Sequence, residues 1–276
     1  MRLKNRIYMD YQASTPADAR VVEAMLPYFS EVFANPHSSE HAFGWDAAAA
    51  IERARTQISS LVGAYAEEIF FTSGATESNN HVFQALTESR GNGRRTLLIS
   101  AIEHQCVLQS AAVAAEKHGF NVVLLPVDTH GVVDQEFLAR SLSKDVLMVS
   151  IMAVNNEVGT IQHIEELVEL THAAGALFHC DGAQAFPAME VDVGLWDVDF
   201  MSFSAHKMYG PKGIGALYVR SDLQEGFSPM LVGGGQQEGM RAGTMPTPLC
   251  VGFGAAAAIM AEAGSAEVLK LQRLKN

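Results

Sequence analysis

The sequence is short of charge, of cysteine and of long apolar runs. Charged residues make up 18% of 276, and no Lys/Arg cluster offers the basic face that nucleic acid requires. Acidic residues outnumber basic ones 31 to 19, a formal charge of −12, so the expected partners are small molecules or proteins. The three cysteines, Cys106, Cys180 and Cys250, lie far apart and form no C-x-x-C pair. Neither a zinc knuckle nor a disulfide framework is expected, no metal site is expected, and a reducing cytoplasm suits the chain. The longest apolar candidate, VGFGAAAAIM at 251–260, is too short and too Ala-rich to cross a membrane. The opening MRLKNRIYMDYQ has basic residues with no apolar stretch behind them, so it does not read as a signal peptide.

Apolar residues are plentiful, 48% of the chain, enough for one large α/β domain or two small ones. Seven short runs are rich in β-branched and apolar residues: EIFFT (68–72), TLLIS (96–100), NVVLL (121–125), DVLMVSI (145–151), ALFHC (176–180), VDFMSFS (198–204) and IGALYV (214–219). Most are continuous rather than alternating, the pattern of strands covered on both faces. Helical patterns lie between most of them, at 76–88, 105–118, 134–141 and 163–174. The alternation predicts a three-layer α/β sandwich around a mostly parallel seven-stranded sheet. Only the link from 204 to 214 is too short for a helical crossover, so the last strand should run antiparallel. Two helices are expected ahead of the sheet, at 17–33 starting near Pro16, and at 41–62. An Ala-rich helix is expected after residue 248. The segment SAEVLKLQRLKN then places Val268, Leu269, Leu271 and Leu274 on a loose helical face.

Ligands of open α/β sheets collect at the carboxyl ends of the strands, and the polar residues gather there. SGATESNN follows the first strand, EHQ the second, NNEVG the fourth, DGAQ the fifth and SAHK the sixth. Gly74, Ala75 and Thr76 suit a phosphate at a helix N-terminus, although they equally suit an ordinary helix start. Asp181 can pair with a ring nitrogen and keep it protonated, or simply cap the next helix. His179, Cys180 and Asp181 are consecutive and alternate across a strand, which argues against a shared metal. His104 stands at the pocket mouth, where a lone histidine is either structural or functional. Lys207 ends a buried strand. Partial burial lowers the basicity of such an amine and lets it attack a carbonyl. A phosphate cradle, an acid for a ring nitrogen and a lysine together match the aldehyde, pyridine and phosphate of pyridoxal 5′-phosphate.

The stretches YMDYQASTP (8–16), NPHSSEH (35–41), FTSGATESNN (71–80), EH (103–104), VNNEVGTIQ (154–162), HCDGAQ (179–184), SFSAHKMYGPKGIGALYVR (202–220) and GGGQQEGMRAGT (233–244) carry a family resemblance. Together they resemble the cysteine desulfurases, in the class V aminotransferase branch of fold-type I pyridoxal-phosphate enzymes. The resemblance implies the large domain of the pyridoxal-phosphate-dependent transferase fold and sulfur transfer from L-cysteine, leaving alanine. It implies that Lys207 bonds the cofactor and moves protons on the substrate carbon, and that His104 stacks on the ring with an acid/base role. Asp181 would bind the pyridinium nitrogen and Gln184 the ring oxygen. Gly74, Ala75, Thr76, Ser204 and His206 would hold the phosphate, Asn155 would touch the substrate carboxylate, and Thr244 would reach the phosphate of a neighbouring subunit in a homodimer. Lys212 and Gly213 read as turn residues. The sulfur would pass to an iron–sulfur scaffold or another acceptor protein.

Members of that family continue into a smaller C-terminal domain with a nucleophilic cysteine on a mobile loop and a substrate-binding arginine. None of the three cysteines here has that context. Cys106, the one nearest His104 in sequence, could lie near the pocket, but a buried core thiol is the favoured expectation. The expected division is an N-terminal arm at 1–15, a cofactor-binding domain at 16–262, and a helix from 263 leading towards an absent small domain. On that basis desulfuration by this chain alone would be incomplete. Gly182, where the family usually has alanine, and Gln12 are lesser departures. Two other readings remain: a non-catalytic cofactor-binding dimerisation partner or truncated product, and a selenocysteine lyase or other fold-type I transferase.

Overall fold

The computed structural model describes residues 2–3, 6–88 and 93–275. A two-stranded ribbon, β1 (Arg2–Leu3) and β2 (Arg6–Ile7), opens the chain, followed by α1 (Ala19–Met25), α2 (Pro27–Ser30) and α3 (Ala42–Val62). The sheet and its crossovers follow: β3 (Ile69–Thr72), α4 (Ala75–Glu88), β4 (Thr96–Ser100), α5 (Gln105–His118), β5 (Asn121–Leu125), α6 (Gln135–Ser141), β6 (Val146–Ser150), α7 (Ile164–Ala173) and β7 (Leu177–Asp181). Two short helices, α8 (Ala185–Ala188) and α9 (Val193–Trp196), lead to β8 (Phe200–Ser204), β9 (Gly215–Val219) and the long α10 (Thr247–Lys275).

All seven expected strands form, in the spatial order β3-β9-β8-β7-β6-β4-β5. β9 runs antiparallel to both β8 and β3, and the other pairs are parallel. Continuous apolar strands supply both faces. Leu97 and Ile99 of β4 pack with Val82 and Phe83 of α4 and with Val107 and Ala111 of α5. Leu98, between them, packs into the opposite layer with residues of α3, α7 and α10. The three layers follow from this alternation, because every second side chain needs its own helical cover. β5 departs from the double burial: it is an edge strand, with Leu124 exposed.

The other edge, β3, is closed by a side chain. Gln237 accepts from the Phe71 N–H at 2.7 Å and donates to the Phe71 carbonyl at 2.9 Å, standing in for a neighbouring strand. α10 lies close along α3, and Gly254 permits the approach, since a Cβ there would fall 2.5 Å from the Ala54 Cα. The helix expected over 17–33 is two helices. Its first turn is capped by Asp18, which accepts from the Arg20 N–H at 2.9 Å, and Pro27 begins α2 because it has no N–H to continue α1. The side chains of Val268, Leu269, Leu271 and Leu274 lie outside the described residues.

Candidate active site

The strand order turns back at β4: β5 lies on one side and β6 on the other. A crevice opens there at the carboxyl ends of the strands. It is a cleft of about 730 Å³, walled by residues from the ends of β3, β4, β6, β7 and β8. Ser73 to Glu77, His104, Asp181, Gln184, Ser204, His206 and Lys207 all line it, so the five polar strand ends converge.

At one end of the cleft the β3–α4 turn is built for close approach. Gly74 has φ +152°, and a Cβ at Gly215 would fall 2.5 Å from the Gly74 Cα. The first N–H groups of α4 have no acceptor in their own helix, and the Thr76 and Ser204 hydroxyls and the His206 ring are beside them in the cleft wall. A Cβ at Gly74 would meet nothing nearer than the Ser204 Oγ, at 4.0 Å. This open, donor-rich cradle fits a phosphate. Glu77 shares the same turn. It accepts from the Ser73 N–H and is held by Arg241 at 2.8 Å. Burial opposes its charge, but Arg241 and Ser73 together bring its pKa below the usual carboxylate value.

Lys207 leaves β8 on a single turn of 3-10 helix, Ala205–Lys207. Burial lowers its pKa, against the opposing pull of Asp181 and Asp10, so more of the amine is free base at neutral pH. Its Nζ donates to the Gln12 carbonyl, and Gln184 Nε2 donates to the same oxygen at 2.9 Å. The N-terminal arm therefore crosses the cleft. It is tied down by Thr15, whose N–H and hydroxyl both donate to the His206 carbonyl at 3.0 and 2.9 Å.

Asp181, at the end of β7, is 3% exposed. It accepts from the Ala183 N–H at 2.9 Å and from Asn79 Nδ2 at 2.8 Å. Burial raises its pKa, and these two donors with the charges of His104 and Lys207 draw it back. A second buried carboxyl, Glu103, accepts from the Met152 N–H at 2.6 Å, while its Oε2 has no partner among the described residues. Burial, and then the nearby Asp181 charge, push Glu103 well above the carboxylate range. Of the two, Asp181 has more donors to support a charge, and Glu103 is driven further towards its protonated form. One buried anion with a lysine in the same cleft suits a protonated ring nitrogen and an aldehyde, so the residues present fit pyridoxal phosphate.

Three expectations change in detail. Cys106 is not a core thiol. It is half-buried in the cleft wall, 3.0 Å from His104 Nδ1 and 3.2 Å from Asn79 Nδ2, because it opens α5 one turn from the strand end; burial pushes its thiol up. Asn155 is 4% exposed. Its Oδ1 accepts from the Glu157 and Val158 N–H groups and its Nδ2 donates to the Ile102 carbonyl, leaving Asn156 and Glu157 as the cleft wall there. Lys212 and Gly213, read as turn residues, also line the cleft. Thr244 is exposed and is not part of this cleft wall. Sequence reasoning missed Asn79, although it follows Thr76 by one helical turn in a quoted motif. It also missed Glu103, Glu77 and Arg241. Among the described residues no group of three or more His, Cys, Asp or Glu side chains could hold a metal, and no helix is long and apolar enough to cross a membrane.

A family model, aminotransferase class-V, matches residues 7–276. The chain belongs to the aminotransferase class-V family. Among curated class-V relatives, the cysteine desulfurase IscS of Rickettsia bellii is 49% identical over 253 residues, covering 92% of this chain and 62% of the relative. The mitosomal cysteine desulfurase of Trachipleistophora hominis is 47% identical over 263 residues, covering 95% of this chain and 59% of that one. The chain thus spans about three fifths of these class-V relatives. Among solved structures, a NifS-like protein superposes with a TM-score of 0.94 at 38% identity, over 98% of this chain and 73% of that one. SspA in complex with cysteine superposes with a TM-score of 0.87 at 41% identity, over 91% of this chain and 72% of that one. The seven-stranded α/β sandwich expected from the strand pattern matches the fold of these structures.

Proposed function

We propose that this chain is the cofactor-binding part of a cysteine desulfurase, with residues 16–262 as the cofactor domain. In this reading L-cysteine and an acceptor thiol give alanine and a persulfide, for delivery to an iron–sulfur scaffold or thiocofactor-assembly protein. The observation that carries it is the half-buried, weakened base Lys207 in one cleft with the buried anion Asp181 and the cradle at Gly74–Thr76. The similarity to desulfurases over nine tenths of the chain supports the choice of reaction.

Pyridoxal phosphate, when bound, supplies an aldehyde for attachment and a ring that accepts electrons. The protein's residues then divide the work. Lys207, held at low basicity, attaches the group and carries a proton to and from the substrate carbon. Asp181, which accepts from Asn79 and Ala183, would pair with the ring nitrogen. His104 would stack on the ring, and Gln184, whose amide now donates to the Gln12 carbonyl, would bond the ring oxygen. Thr76, Ser204 and His206 hold the phosphate, with the Gly74 and Ala75 backbone around it. Thr244, exposed and apart from its own cleft wall, reaches the phosphate of a second subunit in a homodimer. Asn155 shapes the loop that presents Asn156, and contacts a substrate carboxylate only by giving up its present bonds. Three free thiols suit the reducing cytoplasm.

The test is cofactor uptake and turnover. Protein mixed with pyridoxal phosphate should gain visible absorbance that Lys207→Ala abolishes, and with an acceptor thiol supplied, L-cysteine should give alanine and persulfide in equal amounts. A protein that stays colourless with added cofactor overturns the reading. Preferred turnover of an α-keto acid or of selenocysteine overturns the choice of substrate.

A further inference from the structure

The cleft contains a cation that the roles above leave unused. Lys212 lines it, as do Ser73 and Gly74. The turn that carries Lys212 is fixed against the phosphate cradle: Gly213 takes φ +86°, and Gly215 lies so close to Gly74 that a Cβ would fall 2.5 Å from its Cα. The Lys212 charge is felt at His206, whose pKa is lowered first by burial and then by Lys207 and Lys212.

A phosphate carries close to two negative charges at neutral pH, and the cradle must answer them. Thr76 and Ser204 are neutral hydroxyls. His206 is held towards its neutral form. Arg241 is committed to Glu77, at 2.8 and 3.2 Å. Lys207 uses its amine for attachment. Lys212 is exposed and has no hydrogen bond or ion pair among the described residues. Among the described residues of the cleft wall it is the lysine that no other group engages.

We propose that Lys212 pairs with the phosphate bound at the start of α4, and so sets the preference of this cleft for phosphorylated over unphosphorylated pyridoxal. The proposal rests on the cofactor reading above. A flexible amine suits this role at the rim, because it acts as a point charge and needs no fixed fork of donors.

The experiment titrates the parent, Lys212→Gln and Lys212→Arg with pyridoxal phosphate and with pyridoxal, followed by visible absorbance, and with inorganic phosphate, followed by calorimetry. The exposed position lets both variants fold, which unchanged thermal melting would verify. Lys212→Gln should bind pyridoxal phosphate and inorganic phosphate about five- to tenfold more weakly at ~0.1 M salt, with the gap closing at ~1 M. Pyridoxal affinity should stay within about twofold, and Lys212→Arg should stay near the parent. Equal losses for pyridoxal and its phosphate would mean a structural role and overturn the proposal. So would unchanged phosphate affinity, or a raised KM for L-cysteine with cofactor affinity intact, which would make the substrate carboxylate the anion. If the parent takes up no cofactor, the desulfurase reading fails, and the calorimetric arm with inorganic phosphate still decides Lys212.

Discussion

Asp181 and Glu103 show how two carboxyls of the same layer divide their tasks by their donors. Asp181 has a side-chain amide and a backbone N–H donating to it and the Lys207 amine in the same cleft, whereas Glu103 has one backbone N–H. The motifs made Asp181 visible and left Glu103 in the shadow of His104, because nothing in a linear sequence shows that a side chain ends with an unpartnered oxygen. His179 is the opposite case: three adjacent metal-capable residues drew attention, yet it is a core histidine. It bonds Ser150 at 2.8 Å, and burial pushes its pKa down to about 3. A histidine held neutral in the fold but free to protonate when unfolded favours the unfolded state as pH falls through 6.5. Its contribution is whole at pH 7 and shrinks by about 2 kcal/mol at pH 5. His179→Gln should therefore lose less stability than the parent between pH 7 and 5, by roughly that amount, in urea unfolding at the two values. Equal losses would contradict the account of His179.

At the scale of elements, the strands were legible within a few residues because continuous apolar runs between turn residues leave few alternatives. The 17–33 helix was drawn too long, since its apolar pattern continues through Pro27 while the missing N–H does not. Lys212 sits in the expected turn, but that this turn and the first helical turn at Cys106 face the cleft was not legible, because it depends on packing against other elements, such as Gly215 against Gly74. The closing of β3 by Gln237 was also invisible, being a contact across 166 residues. Gln237→Ala should leave the Phe71 N–H and carbonyl open at a sheet edge. Stability should fall by about 1–2 kcal/mol, with aggregation on heating rising. A variant as stable and soluble as the parent, by denaturant melt and light scattering, would show that water or a partner serves this edge equally well.

For the whole molecule, three layers bring five strand ends to one crevice, and the N-terminal arm crosses it to reach Lys207 and Gln184. The crevice was foreseeable from the order of polar motifs after apolar runs; the arm's path across it was not, because backbone carbonyls such as that of Gln12 carry no sequence signal. The account stands on Lys207 as the residue that bears the cofactor. The most direct test is borohydride reduction of protein mixed with pyridoxal phosphate, followed by peptide mass spectrometry. The account predicts one stoichiometric pyridoxyl-phosphate adduct, on Lys207, with Lys212 unmodified. An adduct spread over surface lysines, or centred on another residue while Lys207 remains free, would contradict it.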